Sequence, residues 1–143
     1  DEWVLMREHP LHGQQILRGI EFLQGAARVV AQHHEQWDGS GYPLGLHEEE
    51  IDLNARIFAV ADAFDAITSD RVYRKGKSYE AAAKELDDWS GRQFDPKVVA
   101  AFHRVAKEDW EELHRQSLLP KDEKFNLRRM VQTLDSQLEV ALR

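Results

Sequence analysis

Four ionisable side chains stand within six residues at His33, His34, Glu35 and Asp38, in the stretch HHEQWDGSGYP. Neutral imidazoles and carboxylates are the usual ligands of Fe, Mn, Zn and Ni in proteins. The histidine pair is predicted to end a helix, in which neighbouring residues point about 100° apart. Such rings do not naturally meet at one ion, so each would reach a different ion or one would support the other. A polar helix end that runs into an ordinary loop is the alternative.

Two aspartates interrupt the most apolar segment of the chain. Asp62 and Asp65 are three residues apart, on neighbouring positions of one face of a helix predicted over 53–68. This helix is apolar almost all round, so we expect it to be central and its carboxylates to be buried. A buried carboxylate is costly unless it is paired or binds a metal. The alternatives are therefore metal ligation, pairing with an arginine such as Arg56, or capping of another helix.

His9 is a further candidate ligand because it precedes Pro10. A residue before proline is pushed away from helical geometry, so a break between two helices is predicted here. A side chain at such a break can point into a cleft. His12 lies three residues on and is the rival candidate. The remaining histidines are predicted to be solvent-exposed: His47, His103 and His114.

A basic segment follows the aspartate helix, with four cationic side chains in seven residues: Arg71, Arg74, Lys75 and Lys77. Arginine holds phosphate oxygens in a planar, often bidentate fork. The segment is either a solvated surface loop or a phosphate clamp. Tyr42, between two glycines and a proline, either stacks on a base or a partner protein or packs onto the core.

Length and composition exclude several classes of protein. The chain has 143 residues, enough for one domain with a core, and a formal net charge of -7, which argues against DNA binding by bulk charge. The absence of cysteine excludes disulfides and thiolate metal sites and fits a reducing cytoplasm. No apolar run reaches the length of a membrane span. The opening DEWVLM resembles a helix already under way, so we expect an N-terminal truncation.

The periodic segments predict an all-α protein. Helices are predicted over 2–8, 10–19, 25–35, 53–68, 78–91 and 95–115, with a loop over 39–53 and a break at 117–120. Ser78 and Asp95 are predicted N-caps, and Pro96 suits the first helical position. The tail carries a heptad-like seam at Leu127, Val131, Leu134, Leu138 and Ala141. It is either a terminal helix on its own domain or a dimerising helix.

The motifs together resemble one known family. HHEQWDGSGYP is similar to the signature of HD-GYP domains, a branch of the HD superfamily of metal-dependent phosphohydrolases. Glu8-His9-Pro10 with GQQIL, the segment 51–86 and SGRQFDPKVVAAF resemble further parts of that family. The resemblance covers residues 1 to about 103. It implies a partial helical bundle of the HD superfamily at 1–116. The tail does not belong to the family pattern, and its seam predicts an amphipathic helical extension at 117–143.

The resemblance also implies a function. HD-GYP proteins bind two or three ions, usually Fe or Mn, and hydrolyse cyclic di-GMP to pGpG and sometimes to GMP without a covalent intermediate. Matched positions make His9, His33, His34 and Asp62 the metal ligands, with His33, His34 and Asp62 central to catalysis. Arg71 and Arg74 match phosphate contacts, and Asp65 lies beside the site. Tyr42 belongs to the GYP motif, which implies substrate and partner-protein contacts.

One departure from the family pattern concerns the His-Asp dyad that names the superfamily. No His-Asp dipeptide occurs in the chain. In the family the dyad lies roughly two dozen residues before the segment that matches Asp1, and its aspartate bridges the metals. Four candidate ligands remain, which is enough for a single ion. Three alternatives follow. The chain is part of a longer enzyme, or it is an inactive module that binds cyclic di-GMP or a partner protein. In the third, a neighbouring chain supplies the dyad.

Overall fold

The computed structural model describes residues 2–117, with side chains from 7 to 116. These residues form six α-helices: α1 Glu2–Arg18, α2 Gln24–Gln32, α3 Leu53–Thr68, α4 Tyr79–Asp88, α5 Pro96–Phe102 and α6 Lys107–Ser117. Short 3-10 turns lie at Glu21–Leu23 and Glu48–Glu50. No strand occurs in this part of the chain, so the predicted all-α class is confirmed. None of the described helices combines the length and the hydropathy needed to cross a membrane.

The chain divides into two compact units, of which the second begins at Lys107. The predicted boundary between residues 116 and 117 stays a prediction. In the second unit, α6 carries Glu108 and Asp109 in its first turn and Arg115 in its last turn, an order that suits the helix dipole. The predicted tail helix, its seam and residues 118–120 of the predicted break lie outside the described residues.

The predicted helix break at His9 and Pro10 is wrong, because α1 runs through both residues. Proline in a helix loses one backbone hydrogen bond and crowds the carbonyl four residues before it. Pro10 is among the most completely buried side chains, so its packing offsets that local penalty. Helices α1 and α2 approach closely at Gly13, where an added Cβ would lie 2.7 Å from Cγ1 of Val30.

Helix α3 is central, as predicted, because it packs against α2, α4 and α5. Its buried side chains are Ala55, Val60, Phe64 and Ile67. Phe64 meets Phe102 of α5 and Tyr79 of α4 at ring-centroid distances of 5.3 and 5.9 Å. The bounds of α3 agree with the prediction, and Asp52 caps it by accepting from the backbone N–H of Asn54.

The prediction that Asp62 and Asp65 are buried is wrong, because both side chains are exposed. The described residues cover helix α3 on one side only, and they leave apolar Ile57 and Phe58 exposed as well. An apolar sequence does not say which face a neighbouring helix will cover. The predicted pairing of either aspartate with Arg56 is also wrong, because Arg56 bonds Asp95 at 2.7 Å.

Local signals located the starts of α4 and α5 correctly. Ser78 accepts a hydrogen bond from Ala81, and Asp95 accepts one from Lys97 with Pro96 following it. The predicted single helix over 95–115 is wrong, since α5 ends at Phe102. There the N–H groups of Arg104 and Val105 bond carbonyls only three residues back, which tightens the chain out of the α-helix.

Candidate metal centre

Three histidines from two helices form one cluster. His9 lies on α1, and His33 and His34 directly follow α2, which ends at Gln32. One possible ligand atom from each residue lies within 4.8 Å of the others. The rings of His33 and His34 are 3.9 Å apart. The two rings lie close together because His34 has already left the helix, and the expectation that they do not meet at one ion stays a prediction.

The ring nitrogens of His9 and His34 fit a shared metal ion. Nε2 of His34 and Nε2 of His9 are 3.2 Å apart, and two nitrogens on one Zn ion are separated by roughly 3.0–3.4 Å when each bond is about 2.0–2.1 Å. Nδ1 of His33 lies 2.7 Å from the carbonyl oxygen of Val30, so it donates and leaves Nε2 as the ligand atom. The preference for His9 over His12 agrees with this geometry, because His12 lies outside the cluster.

The electrostatics of the cluster favour neutral imidazole at His34. Burial, together with the neighbouring charges of His33 and His9, lowers the pKa of His34 to about 4, against the opposing effect of Asp62. Between about pH 6.5 and pH 4, His34 is therefore protonated in the unfolded chain but neutral in the folded chain. Stability should fall as pH drops from about 6.5 towards about 4.

We expect the His34 ring of the metal-free chain to titrate with a midpoint near pH 4. Carbon-detected NMR of the histidine rings measures this midpoint directly. A midpoint at or above the ordinary pKa of 6.5 would contradict the arrangement of His9, His33 and His34 described above.

Tyr42 lies against the cluster. Its ring stacks on His34 at 4.7 Å with an interplanar angle of 25°, and the guanidinium of Arg7 lies 5.3 Å from its centroid. The backbone N–H of Tyr42 donates to the carbonyl of His34 at 3.1 Å. The Tyr42 ring is therefore half-buried beside His34, and its contact with a base or a partner protein stays a prediction.

The two aspartates of α3 take different places. Asp62 is not part of the histidine group, although it is near enough to raise the pKa of His34. Asp65 lies nearly one turn further along α3 and accepts a hydrogen bond from the Ser69 hydroxyl at 3.0 Å. The structure therefore brings His9, His33 and His34 together and leaves both aspartates at the margin.

The basic segment predicted to bind phosphate forms a tight turn that is closed by backbone hydrogen bonds between its first and last residues. Arg71 and Arg74 exchange two backbone hydrogen bonds of 2.8 and 3.1 Å. The Arg74 guanidinium donates to the carbonyl of Ala66 on α3, so it ties the turn to the helix. The backbone of Gly76 presses on Thr68, because an added Cβ would lie 1.8 Å from that carbonyl oxygen. Arg71 is exposed at the edge of a fixed turn.

The histidines predicted to be solvent-exposed divide into two groups. His47 and His103 are exposed, and they bond Glu50 and Asp87 respectively. His114 is half-buried, so that prediction is wrong for His114. These residues take no part in the cluster of His9, His33 and His34.

Sequence reasoning missed the residues that support the site. Glu35 is buried and accepts backbone N–H groups of Leu44 and Leu46, a role that its place in the HHE run did not indicate. A loop whose backbone donors need partners was the available signal. Outside the cluster, the ion pair of Arg56 with Asp95 joins positions 39 residues apart, and no local sequence pattern indicates such a pairing.

The sequence pattern of the HD domain family matches residues 1–98. A cyclic di-GMP phosphodiesterase of Thermotoga maritima is 44% identical over 110 residues, which are 76% of this chain and 30% of that protein. Cyclic di-GMP phosphodiesterase PA4108 of Pseudomonas aeruginosa is 46% identical over 104 residues, which are 71% of this chain and 24% of that protein. The chain thus spans less than a third of each relative.

A solved structure shares the fold. The crystal structure of a cyclic GMP-AMP specific phosphodiesterase of V. cholerae, V-cGAP3, has a TM-score of 0.63 and 27% sequence identity. The match covers 84% of this chain and 27% of that chain. The prediction of an HD-GYP domain with a helical HD fold is confirmed, and these relatives are named as phosphodiesterases of cyclic dinucleotides. The chain belongs to the HD-domain family.

Proposed function

We propose that the chain forms part of a metal-dependent phosphodiesterase site that hydrolyses cyclic di-GMP to pGpG, GMP or both. The observation that carries the proposal is the convergence of His9, His33 and His34 within 4.8 Å. It occurs in a chain that is 44% identical to a named cyclic di-GMP phosphodiesterase. The proposed setting is the cytoplasm, which suits a chain without cysteine.

The proposed ligands are His9, His33 and His34, with Asp62 as a fourth from the neighbouring helix. Fe or Mn is the proposed metal, and this ligand set suits one ion. When bound, the metal would polarise the phosphate and lower the pKa of a water molecule. The chain's own part is to keep the imidazoles neutral and oriented, through the low pKa of His34 and the bond from His33 to Val30. A dinuclear or trinuclear centre would need further ligands.

Arg71 is the proposed contact to a substrate phosphate, with Asp65 beside it and Arg74 in a supporting role. Hydrogen bonds to charged groups contribute about 1.5–3 kcal/mol each. Arg71→Ala should therefore weaken cyclic di-GMP binding by about 10- to 100-fold, without loss of metal. Calorimetric titration of the nucleotide into the metal-loaded chain measures this change.

The matched control for Arg71→Ala is Lys75→Ala, which removes a cation from the same exposed segment outside the bonded turn. Its effect should be smaller, because a lysine ammonium is a point charge without a fork geometry. Equal losses in the two variants would show that Arg71 acts only through the general positive charge of the segment.

The direct test is hydrolysis of cyclic di-GMP by the purified chain, with products separated by ion-exchange chromatography. We expect turnover that EDTA removes and that added Mn²⁺ or anaerobic Fe²⁺ restores. 3′3′-cGAMP serves as the comparison substrate, because a Vibrio cholerae relative named as specific for it is 39% identical over 113 residues. Faster cleavage of 3′3′-cGAMP than of cyclic di-GMP would contradict the proposed substrate.

A second candidate function is a module that binds cyclic di-GMP or a partner protein without hydrolysis. Among the described residues, the cluster consists of three histidines and includes no carboxylate, which favours this candidate. A partner would contact the GYP loop at Leu44, which is 58% exposed, since Tyr42 already packs on His34. Tight nucleotide binding without metal-dependent turnover would favour this candidate.

The tail at 117–143 is proposed as a dimerising helix. Its support is the seam of apolar residues in the sequence, at alternating spacings of four and three. Sedimentation equilibrium of the chain, compared with a version ending at residue 117, tests this. A monomer at high concentration in both would contradict the proposal.

A further inference from the structure

Glu35 directly follows a proposed metal ligand, yet it serves the loop beyond that ligand. Its side chain is buried, with 4% of the residue exposed. One carboxylate oxygen accepts the N–H of Leu44 at 2.7 Å, and the other accepts the N–H of Leu46 at 3.0 Å. Glu35 is not part of the histidine group. Buried carboxylates need such charge-assisted bonds, which are about twice as strong as neutral ones.

The loop bonded to Glu35 folds back onto the histidine segment. An added Cβ at Gly41 would lie 2.3 Å from the backbone nitrogen of Gln36, so only glycine permits this approach. One residue later, Tyr42 donates its N–H to the carbonyl of His34. Leu44, which Glu35 binds, is two residues after Tyr42. The loop is therefore fixed on both sides of Tyr42.

Tyr42 in turn limits the orientation of His34. The two rings are nearly parallel and 4.7 Å apart. The His34 ring also contacts the His33 ring at a centroid distance of 3.9 Å and Nε2 of His9 at 3.2 Å. A ring held by a stacked neighbour keeps the direction of its nitrogen atoms. Outer contacts of this kind typically change metal affinity by about 10- to 100-fold.

We infer that Glu35 is a positioning residue: by binding Leu44 and Leu46 it holds Tyr42 on His34, and so it fixes the direction of His34 Nε2. The inference rests on the proposed function in one respect, because the aligned atom is a proposed metal ligand. The alignment itself is a property of the chain without metal. Its failure can therefore be separated from failure of the proposed hydrolysis.

The test is NMR of the histidine rings in the metal-free full chain, at one fixed pH. A stacked tyrosine shifts the His34 ring protons upfield, and Tyr42→Ala should abolish this shift. Glu35→Gln offers one acceptor oxygen for two backbone donors, so at least half of the shift should disappear while the helical circular dichroism persists. Glu50→Gln is the matched control, because Glu50 accepts the N–H of His47 at the far end of the same loop.

The decisive comparison adds Glu35→Gln to Tyr42→Ala. If Glu35 acts through Tyr42, the double variant should give the same His34 resonances as Tyr42→Ala alone. An unchanged His34 shift in Glu35→Gln would overturn the inference. So would a double variant in which Glu35→Gln changes the His34 shift beyond Tyr42→Ala by as much as it does alone. Should Glu35→Gln fail to fold, Glu35→Asp carries the test: it keeps the charge, is too short to keep both bonds, and should lose part of the shift.

Discussion

Replacing His34 by alanine should lower the affinity of the chain for Mn²⁺ by more than 100-fold, and His9→Ala and His33→Ala should do the same. Loss of an outer partner of a ligand typically costs about 10- to 100-fold in metal affinity. Loss of one of three converging nitrogens should cost more, because it removes a direct ligand and leaves only two histidines beside the proposed Asp62. Isothermal titration of Mn²⁺ into each purified variant measures the change.

His12→Ala is the control for this series. His12 lies on α1, as His9 does, but it is exposed and outside the cluster. Its replacement should leave Mn²⁺ affinity within about 2-fold of the unsubstituted chain, which is the range of a surface change below about 0.5 kcal/mol. Equal losses for His12→Ala and His9→Ala would mean that the observed binding is a surface property of α1. The assignment of the cluster would then be wrong.

Arg56→Met should lower the free energy of unfolding by about 3–5 kcal/mol. The Asp95 side chain is fully buried and the Arg56 side chain is 13% exposed, and their charged atoms are 2.7 Å apart. Methionine is of similar length but leaves the carboxylate buried without its cation. Asp95 also caps α5, so the pair connects α3 to the start of α5. In a domain of this size the melting temperature should fall by more than about 10 °C.

Arg28→Met is the matched control for Arg56→Met. Arg28 lies 3.8 Å from Asp52, but its side chain is 64% exposed, and exposed pairs contribute about 0–1 kcal/mol. Urea denaturation of both variants gives the comparison. Similar losses would show that the buried pair does not stabilise the fold as the geometry implies. Arg56→Met should also leave the His34 resonances in place, since the pair is not in the cluster.

Features set by a few neighbouring residues were predictable from the sequence. Ser78 and Asp95 cap helices because their side chains satisfy backbone donors within three residues. Features set by tertiary packing were not. Pro10 continues a helix because it is buried, and Asp62 is exposed because no described helix covers that side of α3. Residue identity could not show which faces would be covered.

In the candidate site, too, residue identities were predictable from the sequence, whereas their tertiary contacts were not. The sequence named His9, His33 and His34 as ligands through family resemblance, but their convergence depends on α2 ending at Gln32, a boundary that was predicted three residues too late. The role of Glu35 depends on a loop nine to eleven residues further on. Contacts of that kind become visible only when the backbone is known.

The measurement that tests the central claim most directly is an anomalous difference map from a crystal of this chain grown with Mn²⁺. The account predicts a peak within bonding distance of Nε2 of His9, His33 and His34, with these three side chains converging as described. A peak at other residues would contradict it. So would a map without a peak in which the three rings point apart.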